Sequence, residues 1–214
     1  MIRKLLATGA VLLPCICLLF FCSSEQPVAG TETGTETGTL TGSVYDADNS
    51  PVANAYVFLH EDRTDTGRIA MDNIHSADST WTDSDGAFRF DPVSAGDYFV
   101  EINAGDSLGV VVSTRVPERE TESVVGVVEP MGSIVGTIDS ALATPGRQLY
   151  VYIAELERFL KAGPAGSFSI LNVPYGNFSL YIMTQSGGIL AECDSVPVRK
   201  GEQTIVESVG TASG

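Results

Sequence analysis

The sequence predicts an all-β protein: two tandem β-sandwiches after a signal peptide and a flexible linker. Three observations lead there. Apolar and polar residues alternate over short runs, namely LTGSVYD, NAYVFLH, GAFRFDPV, DYFVEIN, LGVVVSTRV and ESVVGVVEP. Turn residues separate these runs at close intervals, as in sandwiches and barrels. Helical periodicity is nearly absent, the one candidate being YIAELERFLKA, residues 152–162, which follows a strand-like start. Finally, one module is written twice.

The chain opens with MIRKLLATGAVLLPCICLLFFC. Arg3 and Lys4 form a positive start, and Leu5 to Phe21 is an almost unbroken apolar run, long for a signal core and just short of a comfortable membrane span. The stretch resembles a bacterial lipoprotein signal peptide, which ends at a cysteine that is cleaved and acylated. Residues 1–22 are therefore read as that signal, with Cys22, ahead of Ser23 and Ser24, as the lipidation site and Leu19 in the usual leucine position. Phe21 departs from the pattern, since Gly or Ala normally precedes the cysteine, and the alternative is an uncleaved single-span anchor. Residues 23–39, rich in Gly, Ser and Thr, form a flexible tether. Either anchor places the folded part outside the inner membrane, and the lipid anchor places it at the outer membrane or cell surface.

Residues 40–130 and 131–209 are the two sandwiches. GAFRFDPVSAGDYFVEI aligns with GSFSILNVPYGNFSLYI at an offset of 80, pairing Gly86 with Gly166, Phe88 with Phe168, Val93 with Val173 and Ile102 with Ile182. Upstream, GSVYD aligns with GTIDS and YVFL with YVYI at an offset of 94, so the first copy holds 14 extra residues between Leu59 and Gly86. Phe88, Phe90, Tyr98, Val100 and Ile102 are expected to face inward.

The stretch Asp83-Ser84-Asp85-Gly86 could open a calcium loop or form a tight turn. The second copy retains the glycine and loses both acids, and the twelfth position from Asp83 is Ser94 rather than a bidentate Glu. The hairpin reading follows, with a positive φ or close backbone approach at both glycines.

At these residues the first copy resembles a carboxypeptidase regulatory-like domain, the transthyretin-like sandwich. Its motifs are Gly-x-Val at Gly42 to Val44, Pro-Val-x-x-Ala-x-Val at Pro51 to Val57, Thr-Asp-x-x-Gly-x-Phe at Thr82 to Phe88, and Gly-x-Tyr at Gly96 to Tyr98. The resemblance covers residues 40–128 and is weaker over 131–209, which lack the Pro-Val motif and the acidic turn. It implies a sandwich of about seven strands acting as a spacer, adhesion or sugar-binding module, with no catalytic residues and no cofactor to carry over.

Composition narrows the function classes. Residues 40–130 carry 17 acids and 5 bases, against 7 and 5 over residues 131–214. So acidic a first half argues against nucleic acid and against direct adhesion to anionic lipid. It leaves a membrane held through the lipid anchor, with a polysaccharide or an envelope protein as further partner, or docking to a basic protein. Beyond the signal only Cys22 and Cys193 remain, so no intramolecular disulfide framework is expected and Cys193 is read as a buried thiol on a strand. The first copy has no lysine, which excludes an internal lysine–asparagine isopeptide bond there; in the second, Lys161 and Lys200 are read at a turn and a loop. No nucleophile elbow occurs, and the chain is read as a non-enzyme.

The enlarged segment 60–81 is the candidate ligand face. It holds His60, His75, Asp62 and Asp65, with Trp81 beside it. The histidines are fifteen residues apart, without the close spacing of metal sites, so no metal is assigned. Trp81 either stacks on a sugar or packs at an edge.

Overall fold

A computed structural model describes residues 36–62 and 78–210. Fifteen strands account for nearly all the regular structure among them. The first set is β1 (Thr37–Tyr45), β2 (Tyr56–Glu61), β3 (Asp78–Trp81), β4 (Ala87–Ser94), β5 (Gly96–Ala104), β6 (Leu108–Val116), β7 (Thr121–Val127) and the short β8 (Glu129–Pro130). The second is β9 (Gly132–Ile138), β10 (Leu149–Ile153), β11 (Arg158–Lys161), β12 (Ser167–Val173), β13 (Gly176–Thr184), β14 (Ile189–Val198) and β15 (Gln203–Val209).

The duplication seen in sequence recurs strand by strand. One sheet of the first sandwich runs β4-β1-β7, and its counterpart runs β12-β9-β15. The other runs β3-β2-β5-β6-β8, and its counterpart β11-β10-β13-β14. β7 lies parallel to β1 and β15 parallel to β9, and the remaining pairings among these strands are antiparallel.

Alternation within each strand builds two cores. Leu40, Val57, Phe88, Phe90, Val100 and Ile102 bury in the first, and Ile134, Val151, Phe168, Leu180, Ile182 and Val198 in the second. The repeated Gly–Phe pairing is steric. Gly42 lies opposite Phe88, and a Cβ there would sit 2.3 Å from the ring; Gly136 lies opposite Phe168, at 2.6 Å. The glycine leaves room for the phenylalanine to fold over its own cross-strand partner.

The turn before β4 shows what its acids do. Gly86 has φ +74 and Gly166 φ +77, the left-handed region as expected. Asp83 Oδ1 accepts the N–H groups of Asp85 and Ala87, both at 2.9 Å. Its carboxylate thus closes the turn as an Asx cap. The strands it joins, β3 and β4, belong to different sheets, so this turn is a corner between sheets and not a hairpin. Thr82 fastens the same corner to the Pro-Val motif: its hydroxyl donates to the Val52 carbonyl at 2.7 Å and accepts from Ala55 N–H at 2.9 Å.

Three further expectations need correction. Residues 152–162 are not a helix. They are the end of β10, a single 3-10 turn at Ala154–Leu156, and β11. Glu157 adopts φ +45, which reverses the chain so that β11 pairs back on β10. Lys161 therefore ends a strand instead of lying in a turn. Cys193 is on β14 as a free thiol and is half-buried.

A candidate groove between the two sandwiches

β2 is apolar on both of its faces. Val57 and Leu59 point into the first core, while Tyr56, Phe58 and His60 occupy the outer face, beside Glu101 and Asn103 of β5. Trp81 of β3 lies opposite Tyr56. The rings form a continuous row: Trp81 stacks on Tyr56 at 4.4 Å between centroids, Tyr56 meets Phe58 edge-on at 4.2 Å, and Phe58 lies parallel to His60 at 5.9 Å. One end of the row is open, with Trp81 60% exposed; the other is closed, with His60 4% exposed.

The second sandwich covers the closed end. Its 3-10 turn and β11 bring Leu156, Glu157 and Arg158 over Phe58 and His60. There His60 bridges two carboxylates from different sandwiches. Nε2 lies 3.1 Å from Glu101 and Nδ1 lies 3.4 Å from Glu157. A ring with a carboxylate at each nitrogen donates from both only as the imidazolium. Burial works against that charge, but the bonds to Glu101 and Glu157 outweigh it and raise the pKa of His60 above the ordinary 6.5. Glu101 is 3% exposed, and burial pushes its pKa up. The His60 bond, the Arg158 charge and the Asn103 amide overcome this and hold it ionised, below 4.5. Arg158 Nη2 donates to Glu101, and its Nη1 donates to the Asn172 carbonyl at 2.6 Å. Nearby Glu155 accepts the Ser179 N–H at 3.0 Å, yet burial raises its pKa.

The open end forms a groove of about 470 Å³, within the range of small-molecule sites. The first sandwich supplies Tyr56, Phe58, Trp81, Asn103 and Asp106, and the second supplies Arg158, Leu171 and Asn172. Leu171 and Asn172 reach it because the register of β12 on β9 shifts between Ile170 and Val173, and Asn172 takes φ +54. Bulges of this kind re-aim side chains. Leu171 is left 65% exposed across from Trp81. Asn103 Oδ1, at the floor, is buried and has no hydrogen-bond partner.

The residues singled out in sequence part company here. Trp81 forms the rim of the groove. His60 does not sit in a solvent-facing loop; it is inside the inter-sandwich contact. Asp62 follows β2, where its N–H donates to the Asp97 carbonyl at 2.9 Å. His75 and Asp65 lie outside the described residues. Among the described residues no three metal-ligating side chains form a metal site. His60, Glu101 and Glu157 do not converge, because the carboxylates take opposite ring nitrogens. Also among them, no helix is long and apolar enough to cross a membrane. Glu101, Glu157 and Arg158 were not legible as a group, being separated by up to 57 residues and carrying no spacing signature.

No curated protein matches the chain. Among solved structures it is similar to a streptococcal ancillary pilin, at 12% identity and a TM-score of 0.35, over 85% of this chain and 64% of that one. It is similar to the minor pilin of Streptococcus agalactiae at 12% identity and TM-score 0.33, over 83% and 97%. A putative carbohydrate binding protein from Pseudomonas aeruginosa is similar at 14% identity and TM-score 0.30, over 44% and 89%. The chain spans only 35% of the Bacillus anthracis TIE protein, and 53% of the Pseudomonas arvilla catechol 1,2-dioxygenase, that it also matches. At such identities the likeness concerns the fold alone. Residues 39–128 match the family model described as the carboxypeptidase regulatory-like domain. Its span coincides with β1–β7, and the first sandwich of this chain is a carboxypeptidase regulatory-like domain.

Proposed function

We propose that the chain is a non-catalytic binding protein of the cell envelope, anchored through a lipid on Cys22, and that its inter-sandwich groove takes carbohydrate. The observation that carries the reading is Trp81. An indole 60% exposed at a groove rim, held in place by Tyr56 stacked on it, presents a rigid apolar face to solvent. Pyranose rings offer a matching face of C–H groups, and an aromatic side chain gives large contact area at low entropic cost. Asn103, Asp106 and Asn172 surround that face with donors and acceptors suited to hydroxyls. A second reading, a rigid spacer, is supported by the buried His60 bridge, which ties the sandwiches to each other. A glycan array probed with residues 31–214 separates the two. Binding that disappears in Trp81→Ala supports the groove, and an array silent for the wild type leaves the spacer.

A further inference from the structure

We propose that the groove selects neutral glycans and rejects those bearing carboxylates, because Glu101 has already taken the cation in its wall. This inference rests on the carbohydrate reading above. Among the described residues lining the groove, Arg158 is the one cation. A guanidinium is the usual partner for a carboxylate, through paired N–H donors. Here both terminal nitrogens are already engaged. Nη2 donates to Glu101, and Nη1 donates to the carbonyls of Asn172 at 2.6 Å and Leu171 at 3.5 Å. Glu101 lies behind the guanidinium, buried and ionised, and cancels its charge toward the groove.

What faces an entering ligand is then an aromatic platform, two amides and the carboxylate of Asp106, which is exposed in the turn between β5 and β6. That surface is complementary to hydroxyls, which donate to Asp106 and to the exposed Asn172 amide oxygen and accept from the Asn172 amide nitrogen. A uronate would meet Asp106 without a free counter-charge, on a sandwich whose residues 40–130 carry a net charge of −12. The charge balance also depends on both sandwiches, since Glu101 belongs to the first and Arg158 to the second.

The test is calorimetric titration of the full-length chain with size-matched oligosaccharides: cellohexaose and chitohexaose as neutral probes, hexagalacturonate as the acidic one. The expected result is an affinity for a neutral probe about tenfold or more above that for hexagalacturonate at low ionic strength, narrowing as salt screens the repulsion. Asp106→Asn, a surface change, should raise hexagalacturonate binding relative to the neutral probe. Glu101→Gln, checked for folding by its melting curve, should move the preference further toward the acid by uncovering Arg158. Equal or tighter binding of hexagalacturonate by the wild type overturns the selectivity and leaves the carbohydrate reading standing. Binding of none of the three overturns both.

Discussion

Replacing His60 with Gln removes the side chain that bridges Glu101 and Glu157. Glu101 keeps Arg158 and Asn103, but Glu157, whose side chain is 5% exposed, loses the imidazolium. Breaking a buried pair by removing one partner costs about 3–5 kcal/mol. Gln retains a single donor group, which places the change near the lower end, about 3 kcal/mol. For a folded region of this size each kcal/mol moves the melting temperature by about 2–4 °C, so the fall should be roughly 6–12 °C. The pH dependence identifies the cause. The pKa of His60 is raised in the fold, so its contribution is fully present below 6.5 and is lost as pH rises through the folded value above that. Glu101 has a lowered pKa, so its contribution is present above 4.5 and is lost as pH falls through its folded value. The network is therefore strongest between 4.5 and 6.5. Glu155, with a raised pKa, works against stability once ionised, but it is common to both proteins and cancels in the difference. Melting curves of wild type and His60→Gln, taken from about pH 5 to about pH 9, should show the largest gap at the acidic end and a shrinking gap above neutrality. A gap of constant size across that range would refute the imidazolium bridge.

Gly86→Val should destabilise the protein by about 2–3 kcal/mol in denaturant melts, since φ is +74 and a Cβ would meet the Val44 carbonyl at 2.5 Å. Calcium should leave the melting temperature unchanged, because Asp83 already spends its carboxylate on two backbone N–H groups; a bound ion at a hundredfold excess over Kd would add about 2.7 kcal/mol. Trp81→Ala should cost less than about 1 kcal/mol of stability, as expected of a mostly exposed side chain on an edge strand, which makes any loss of ligand binding a local effect. Metabolic labelling with a fatty-acid probe should mark the wild type and not Cys22→Ser, and equal labelling would remove Cys22 as the anchor.

Much of the fold was legible because each sandwich is specified locally. The period-2 runs became strands, and the offsets of 80 and 94 became matching sheet orders. The inward set of Phe88, Phe90, Tyr98, Val100 and Ile102 is buried as the alternation required. Residues 152–162 misled because Glu157 leaves the right-handed region, a reversal that no apolar spacing encodes. The groove was only half visible. NAYVFLH carries aromatic residues on one parity and aliphatic ones on the other, so both faces of β2 are apolar. Such a strand must be covered on both sides, a consequence that its reading as a plain alternating run did not bring out. The pattern could not name the cover, because Glu157 and Arg158 arrive from a module whose docking depends on tertiary structure. His60 shows the same limit: a histidine ending an apolar run gives no sign that two distant glutamates await it.

The most direct test of the groove uses the single tryptophan of the chain as its own reporter. Because Trp81 is exposed at the rim, a sugar ring stacking on it must change the environment of the indole. Titration with a neutral oligosaccharide should give a saturable blue shift or quench of tryptophan emission, with the same Kd as calorimetry. Calorimetric binding with an unchanged emission spectrum would place the ligand elsewhere and contradict the account.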